Sequence, residues 1–368
     1  MKPCITMLAM VVGLLPAVAP LTAGEQDAAL AREVAVTRFR ENPLITVDTS
    51  VSLGANINGP TVIRVPDWVS RPLGRYYMYF AHHAGSFIRM AYADAITGPW
   101  KIYEPGVLHV RDTAFFRPPP NENIHVASPE IFIDTGLKRL VMWFHGWWTD
   151  GEPWPQPEPG ETSWDAMVRK GYDQFTQPAE SSDGIHFEAR EAITRESYLR
   201  VFQYGGYFYG MTSEGALGRS RDPLARFEFG RPTVLAFKGN VSLARRLETN
   251  PFREYSGRVR EVALLLRGGR LYVFFTAAGD APESVLLSTI DLSPDWTSWR
   301  ATSPVTVLQP ETSYECADLP VERSQWGIVE TRVRQIHDPF VFEESGKTFL
   351  FYTICSEQGI AGAEIALR

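Results

Sequence analysis

The chain has 368 residues, 44% hydrophobic and 12% aromatic, with 29 Gly, 27 Pro and a formal net charge of -7. That length supports a large core, and the Gly and Pro content suits many short strands joined by turns better than long helices. Acidic and basic residues are interspersed, so no basic face is present to neutralise a phosphate backbone, and nucleic acid is not an expected partner.

The chain opens with "MKPCITMLAMVVGLLPAVAPLTAG". Lys2, the apolar run behind it and the small residues near Ala23 read as a secretory signal over residues 1–23, cleaved on export. A retained anchor is the alternative, but the run falls short of the roughly 20 residues needed to cross a bilayer, and Pro16 and Pro20 interrupt it. The mature protein is then expected to be secreted or periplasmic, with no membrane association. Cys4 leaves with the signal, and Cys316 and Cys355 remain either as one disulfide or as two buried thiols. Residues 24–41 form an N-terminal extension, of which 25–40 look weakly helical and are expected to lie outside the main fold.

From residue 42 onward one pattern recurs five times: an apolar or alternating strand, a short turn, and a second strand heavy in aromatics. The pairs are "GPTVIRVP" with "RYYMYFAHH", "SPEIFIDTG" with "RLVMWFHGW", "YLRVFQYGG" with "YFYGMTS", "EVALLLRGG" with "RLYVFFTAAG", and "DPFVFEESG" with "TFLFYTICS". The second strands return at about 65-residue intervals, which leaves room for two more strands per unit. Those strands are legible as hairpins in "RMAYADAITGPWKIY", "AESSDGIHFEA", "LGRSRDPLARFEF" and "VLLSTIDLSPDWTSWR". A large irregular β-sandwich predicts no fixed period. The expected fold is therefore all-β, a five-bladed β-propeller over residues 42–368 with four antiparallel strands per blade. The last unit shows three strands, and "NPLITVD" at residues 42–48 is expected to close the ring as the N-terminal strand.

The outer hairpin Ser182-Asp183-Gly184-Ile185-His186-Phe187, the degenerate copy from Asp94 to Gly98-Pro99-Trp100, and the Asp338-Pro339 strand start resemble the five-bladed propeller glycoside hydrolases. That group includes arabinanases, β-xylosidases, invertases and mannoside phosphorylases. The resemblance covers the mature chain and implies acids at the inner ends of several blades, around a central carbohydrate pocket. The chain departs from the pattern at Asn58-Gly59-Pro60 in the first blade and Ala127-Ser128-Pro129 in the second, where neither carries the Asp the resemblance implies.

Glycoside hydrolysis uses two carboxyl groups flanking the scissile bond. Aligned on their apolar cores, the five first strands place Gly59, Ser128, Tyr198, Glu261 and Asp338 at equivalent positions. Glu261 and Asp338 are thus the leading catalytic candidates, with a rim salt bridge and turn capping as their respective structural alternatives. Glu130 joins them as the residue two beyond Ser128, on the same face of an alternating strand. Glu315 and Asp318, in the 311–320 loop with Glu311 and Tyr314, are candidates for substrate binding at the mouth. His82, beside His83, and His125 cluster near strand ends. Arg258 and Arg334, with Arg260, offer paired hydrogen bonds to a carboxylate, which admits an anionic sugar. The Trp-rich segment at 145–166 offers Trp147 as a platform for a sugar ring, with packing between blades as the alternative. Neither short metal-ligand spacing nor a glycine-rich nucleotide loop is present, so no metal or cofactor is expected.

These readings converge on an exported glycoside hydrolase acting on a poly- or oligosaccharide through paired carboxylates. A carbohydrate-binding propeller without catalysis is the runner-up, and a phosphorolytic enzyme is a third and weaker reading.

Overall fold

The computed structural model describes residues 30, 34–117, 124–161, 163–230, 248–255 and 257–367. The proposed signal over 1–23 lies outside the described residues. The chain enters through β1 (Val34–Arg38) and β2 (Ile45–Thr46) and then builds five blades in sequence. Blade 1 is β3 (Asn58–Arg64), β4 (Tyr76–Ala81), β5 (Phe87–Ala93) and β6 (Lys101–His109). Blade 2 is β7 (Ala127–Asp134), β8 (Arg139–Trp148), β9 (Asp173–Ser181) and β10 (Glu188–Ala189), with a short helix, Ser163–Arg169, between β8 and β9. Blade 3 is β11 (Arg200–Tyr204), β12 (Tyr207–Met211), β13 (Leu217–Ser220) and β14 (Glu228–Phe229). Blade 4 is β15 (Val259–Arg267), β16 (Arg270–Ala277), β17 (Val285–Asp291) and β18 (Val305–Leu308), and blade 5 begins with β19 (His337–Glu344), β20 (Lys347–Ile354) and β21 (Gly359–Leu367). Each sheet is antiparallel, with neighbours in chain order in blades 1 to 4 and with β1 and β2 added beside β21 in blade 5, so this is the five-bladed propeller the repeat implies.

The second strand of each blade is aromatic because both of its faces are buried. Along β4, Tyr77 and Tyr79 pack toward blade 2 with Leu140, Met142 and Phe144. The alternate residues Tyr76, Met78 and Phe80 pack toward blade 5 with Phe349 and Phe351. In β8, Val141 and Trp143 meet Leu199, Phe208 and Phe227 of blade 3. The remaining interfaces repeat this, Val273 and Phe275 meeting Tyr209 and Met211, and Phe274 meeting Leu350 and Tyr352. Period-2 alternation thus turns one strand into a wedge with an apolar layer on each side.

Two sequence readings need adjustment. Within the stretch read as weakly helical and outside the ring, Val34–Arg38 is instead the outermost strand of blade 5, pairing with β21 from Val34↔Leu367 to Arg38↔Ala363. Alternating β-branched residues in "VAVTR" suit a strand edge better than a helix face. The expected closing strand does pair there, but only Ile45 and Thr46 do so, at the inner end of β21. The ring closes through both segments. Arg38 reinforces it by binding Glu315 at 2.8 Å in the loop before blade 5, and a disulfide joins Cys316 to Cys355.

The outer hairpin motif is turn chemistry. Asp183 Oδ1 accepts from the backbone of Ile185 at 2.8 Å and His186 at 2.9 Å, and Tyr79 reaches across from blade 1 to donate to Gly184 O at 2.8 Å.

Candidate active site

At the mouth of the ring, the five positions aligned from sequence share one backbone state. Gly59, Ser128, Tyr198, Glu261 and Asp338 have φ of 60, 48, 57, 40 and 46 degrees, all in the left-handed region. In β3, β7, β15 and β19 the pairing register shifts at this point, so the residue is a bulge. Non-glycine residues held this way cost about 1 kcal/mol or more each, and such strain concentrates at functional sites. The departure at blade 1 has a steric correlate: a Cβ at Gly59 would lie 2.9 Å from Ser128 Cα, so any side chain there requires the neighbouring backbone of blade 2 to move.

The bulges surround a cavity of about 170 Å³ lined by Ser128, Tyr198, Glu261 and Asp338. Asn58 and Arg260, their chain neighbours, line it too. A second ring of residues reaches it from the ends of second strands: His83, His145, Ser213 and Glu357. Trp326, 48% exposed, stands at the rim, where Arg260 donates to Gln325 O at 2.8 Å and Gly327 O at 3.2 Å.

The carboxyl groups occupy blades 4 and 5. Asp338, 2% exposed, accepts from the Tyr198 hydroxyl at Oδ1 (2.9 Å), and Thr353 lies 3.4 Å from Oδ2. Glu261 accepts from Arg260 Nε at 2.8 Å and from the Asp338 backbone N–H at 3.1 Å, which ties the two strand starts together. Glu357 is bonded by Asn56 and sits 3.0 Å from His83 Nδ1. Beneath them, Glu283 lies 3.5 Å from Arg260 and 3.3 Å from His337.

These contacts separate the protonation states. Burial, followed by the negative charges of Glu261 and Glu357, pushes Asp338 up to about 7, against the opposing pull of His337 and the Tyr198 bond. Burial also raises Glu357, but the charge and bond of His83 and the bond from Asn56 outweigh it and hold that carboxyl at about 2. Burial drives His145 well below the usual imidazole range, helped by His125, His83 and Arg200, so it is neutral. Asn58 Oδ1 and His145 Nδ1 are buried with no hydrogen-bond partner among the described residues.

Glu261, Glu283 and His337 offer ligand atoms within 4.8 Å of one another. Arg260 already bonds both carboxylates, so a guanidinium supplies the positive charge there and the set does not fit a metal centre.

Asp338 and Glu261 are thus brought together as expected, and the other candidates go elsewhere. Glu130 does not line the cavity: the bulge at Ser128 breaks the alternation, and Glu130 turns into the wall to pair with Arg200 at 2.9 Å. Trp147 is 3% exposed within the packing between blades 1 and 2. Glu315 is buried under Arg38 and Tyr352, and Asp318 stands outside the cavity lining. Arg258 pairs with Asp280, and Arg334 donates to Pro310 O at 3.3 Å. His82 accepts from Ala84 N at 3.0 Å, and burial lowers it to about 4. His125 stands just behind the cavity, 3.3 Å from Gln174, a lining residue. Sequence reasoning missed Glu357, His145, Ser213 and Trp326. For the first three the signal was their place just inside or just past the end of an aromatic second strand.

The sequence matches no protein-family model. It is 33% identical over 352 residues to an uncharacterized protein of Acanthamoeba polyphaga mimivirus, covering 90% of this chain and 91% of that one. Among solved structures, the GH43_1 enzyme from Xanthomonas citri complexed with xylotriose aligns with a TM-score of 0.52 at 14% identity, over 94% of this chain and 93% of that one. A GH43 β-xylosidase/α-arabinofuranosidase from a compost microbial metagenome, also with xylotriose, aligns with a TM-score of 0.52 at 12% identity, over 90% and 95%. At such identities the likeness is one of fold. The chain belongs to the family of the mimiviral protein, and its architecture is the five-bladed propeller of GH43 glycosidases.

Proposed function

We propose that the chain is a glycosidase that cleaves an oligosaccharide or polysaccharide in the central cavity, with Asp338 as the proton donor and Glu357 as its ionised partner. The observation that carries this is the pair of unlike carboxyl groups in one cavity, Asp338 pushed up to about 7 and Glu357 held at about 2. Environments that drive two acids apart assign them opposite roles. Asp338 gives its proton to the glycosidic oxygen, which leaves with the electrons of the breaking C–O bond. Glu357 stabilises the positive charge that develops on the sugar ring, and water supplies the hydroxyl that ends on the anomeric carbon while its other proton passes to the Asp338 carboxylate and restores the acid. Glu261 braces Asp338 through its backbone. The orphaned polar atoms of Asn58 and His145 are left for sugar hydroxyls, and Trp326 offers a face for stacking. Xylotriose in the solved structures of the same fold supports a carbohydrate ligand. An anionic sugar draws no support, because Arg258 and Arg334 are committed outside the cavity. Export is part of the proposal, supported by the apolar N-terminal stretch and by the disulfide, which suits an oxidising compartment.

The test is sugar release from a glycan panel by wild type, Asp338→Asn and Glu357→Gln. Release by wild type and a loss of about 100-fold or more in Asp338→Asn are expected for a missing general acid. Full activity in Asp338→Asn overturns the assignment. The second reading, a carbohydrate-binding propeller, is favoured by the commitment of Glu261 to Arg260 and by the missing acids at Gly59 and Ser128. It is supported by binding of a glycan that is never cleaved.

A further inference from the structure

Tyr198 stands where blades 4 and 5 carry their acids, in the same strained backbone state, and presents a phenol instead. Its hydroxyl donates to Asp338 Oδ1 at 2.9 Å. Arg200 Nη2 in turn lies 3.4 Å from the phenol oxygen, with the guanidinium carbon 5.0 Å from the ring centroid. Arg200 is itself 1% exposed and fixed from three other blades. It donates to Thr61 Oγ1 at 2.8 Å in blade 1, and to Pro129 O at 2.8 Å and Glu130 Oε2 at 2.9 Å in blade 2. The Phe340 ring of blade 5 lies 5.7 Å from it. A buried ion pair is a weak source of stability by itself. Here it heads a chain of donors running from Arg200 to Tyr198 to a single carboxyl oxygen.

We propose that Tyr198 is a positioning residue for Asp338, fixing its carboxyl and occupying Oδ1 so that the transferable proton is carried on Oδ2, with the Glu130 and Arg200 pair holding the phenol in place. The inference rests on the reading of Asp338 as the proton donor. The groups facing Asp338 are Tyr198 from blade 3, Arg260 and Glu261 from blade 4, and His337, Thr353 and Glu357 from blade 5, with His83 behind Glu357. Among the side chains, Tyr198 makes the shorter bond to this carboxyl, so it governs how readily the carboxylate forms as the proton leaves. Donors already aligned to the developing charge need no reorganisation, and a chain of two strengthens cooperatively.

Tyr198→Phe removes one oxygen atom and tests this directly. Loss of a bond that favours the charged form raises the acid's titration midpoint. The alkaline limb of the kcat/KM profile is therefore expected to move up by about one pH unit while its plateau falls about tenfold. Should that variant fail to fold by circular dichroism, Arg200→Lys, which keeps a positive charge beside Glu130, is expected to move the limb the same way by less. An unmoved limb, or one shifted to lower pH, overturns the inference, because a purely structural role changes the plateau alone. The carbon-13 carboxyl resonance of Asp338, followed through pH in wild type and variant, separates this from the glycosidase reading. A raised midpoint without cleavage of any glycan keeps the positioning role and sinks the hydrolase; an unchanged midpoint in an active enzyme does the reverse.

Discussion

Replacing Asp338 by Asn is expected to abolish activity and stabilise the fold at the same time, with the stabilisation confined to high pH. A carboxyl with an ordinary value of 3.8 raised to about 7 holds a proton in the folded state that the unfolded chain has already released. Between those values the folded protein binds more protons, so this residue's contribution to stability declines as pH rises, and the loss is complete above about 7. A shift of about three units corresponds to a ceiling of about 4 kcal/mol. Asn keeps an oxygen for the Tyr198 hydroxyl, but it brings a buried amide donor of its own. A net gain of about 1 to 3 kcal/mol at pH 8 is the expected outcome, turning into a net loss of about 1 to 3 kcal/mol near pH 4, where only the cost of the amide remains. Urea unfolding of wild type and variant at pH 4, 6 and 8 reads it, and the difference between the two chains isolates this residue from other titrating groups. A variant no more stable than wild type at pH 8, or a gain that grows as pH falls, refutes the account of Asp338 as a carboxyl held neutral by its surroundings.

Arg200→Ala is expected to destabilise the protein by about 3 to 5 kcal/mol, seen in the unfolding midpoint, since it strands Glu130 in the blade wall. An Arg200→Met, Glu130→Leu double variant should recover most of that stability but not activity. Cys355→Ser opens a loop whose ends are separated by 39 residues and should lower stability by about 4 kcal/mol; reductant should reproduce the effect in wild type and leave the variant unchanged. Trp326→Ala, at a half-exposed rim position, should leave the melting temperature alone and weaken glycan binding about tenfold by calorimetry, the scale of one lost sugar-stacking contact.

The part of this site legible in the sequence is the part the ring geometry forces to repeat. Every blade must turn its inner strand at the same distance from the axis, so aligning apolar cores was enough to find five residues that share one φ region, four of them at bulges. Glu261 and Asp338 emerged from that register alone. Glu130 was misplaced by the same device, because alternation was carried through a bulge, and a bulge reverses the face of the residues after it. Trp147 and Glu315 were misread for another reason: their partners are far off in sequence. Trp147 is enclosed by packing between two blades, and Glu315 is covered by Arg38, which lies 277 residues away. In the second ring, His83 was noticed only as the neighbour of His82, and His145, Ser213 and Glu357 escaped because the connections after the second strands differ in length, so no fixed offset marks them. That ring nonetheless determines the chemistry. The bulges set two acids side by side, and it is Glu357, paired with His83 and Asn56 at the end of a second strand, that remains charged and helps keep Asp338 neutral. Steric crowding disfavours a side chain at Gly59 in blade 1, and the carboxyl groups that line the cavity come from blades 4 and 5, while blades 1 to 3 contribute amide, hydroxyl and imidazole groups, with His83 paired to Glu357. For the glycosidase proposed above, carboxyl groups on one side of the cavity and hydroxyl, amide and imidazole groups on the other would let it grip a sugar by its hydroxyls while proton transfer proceeds across from them.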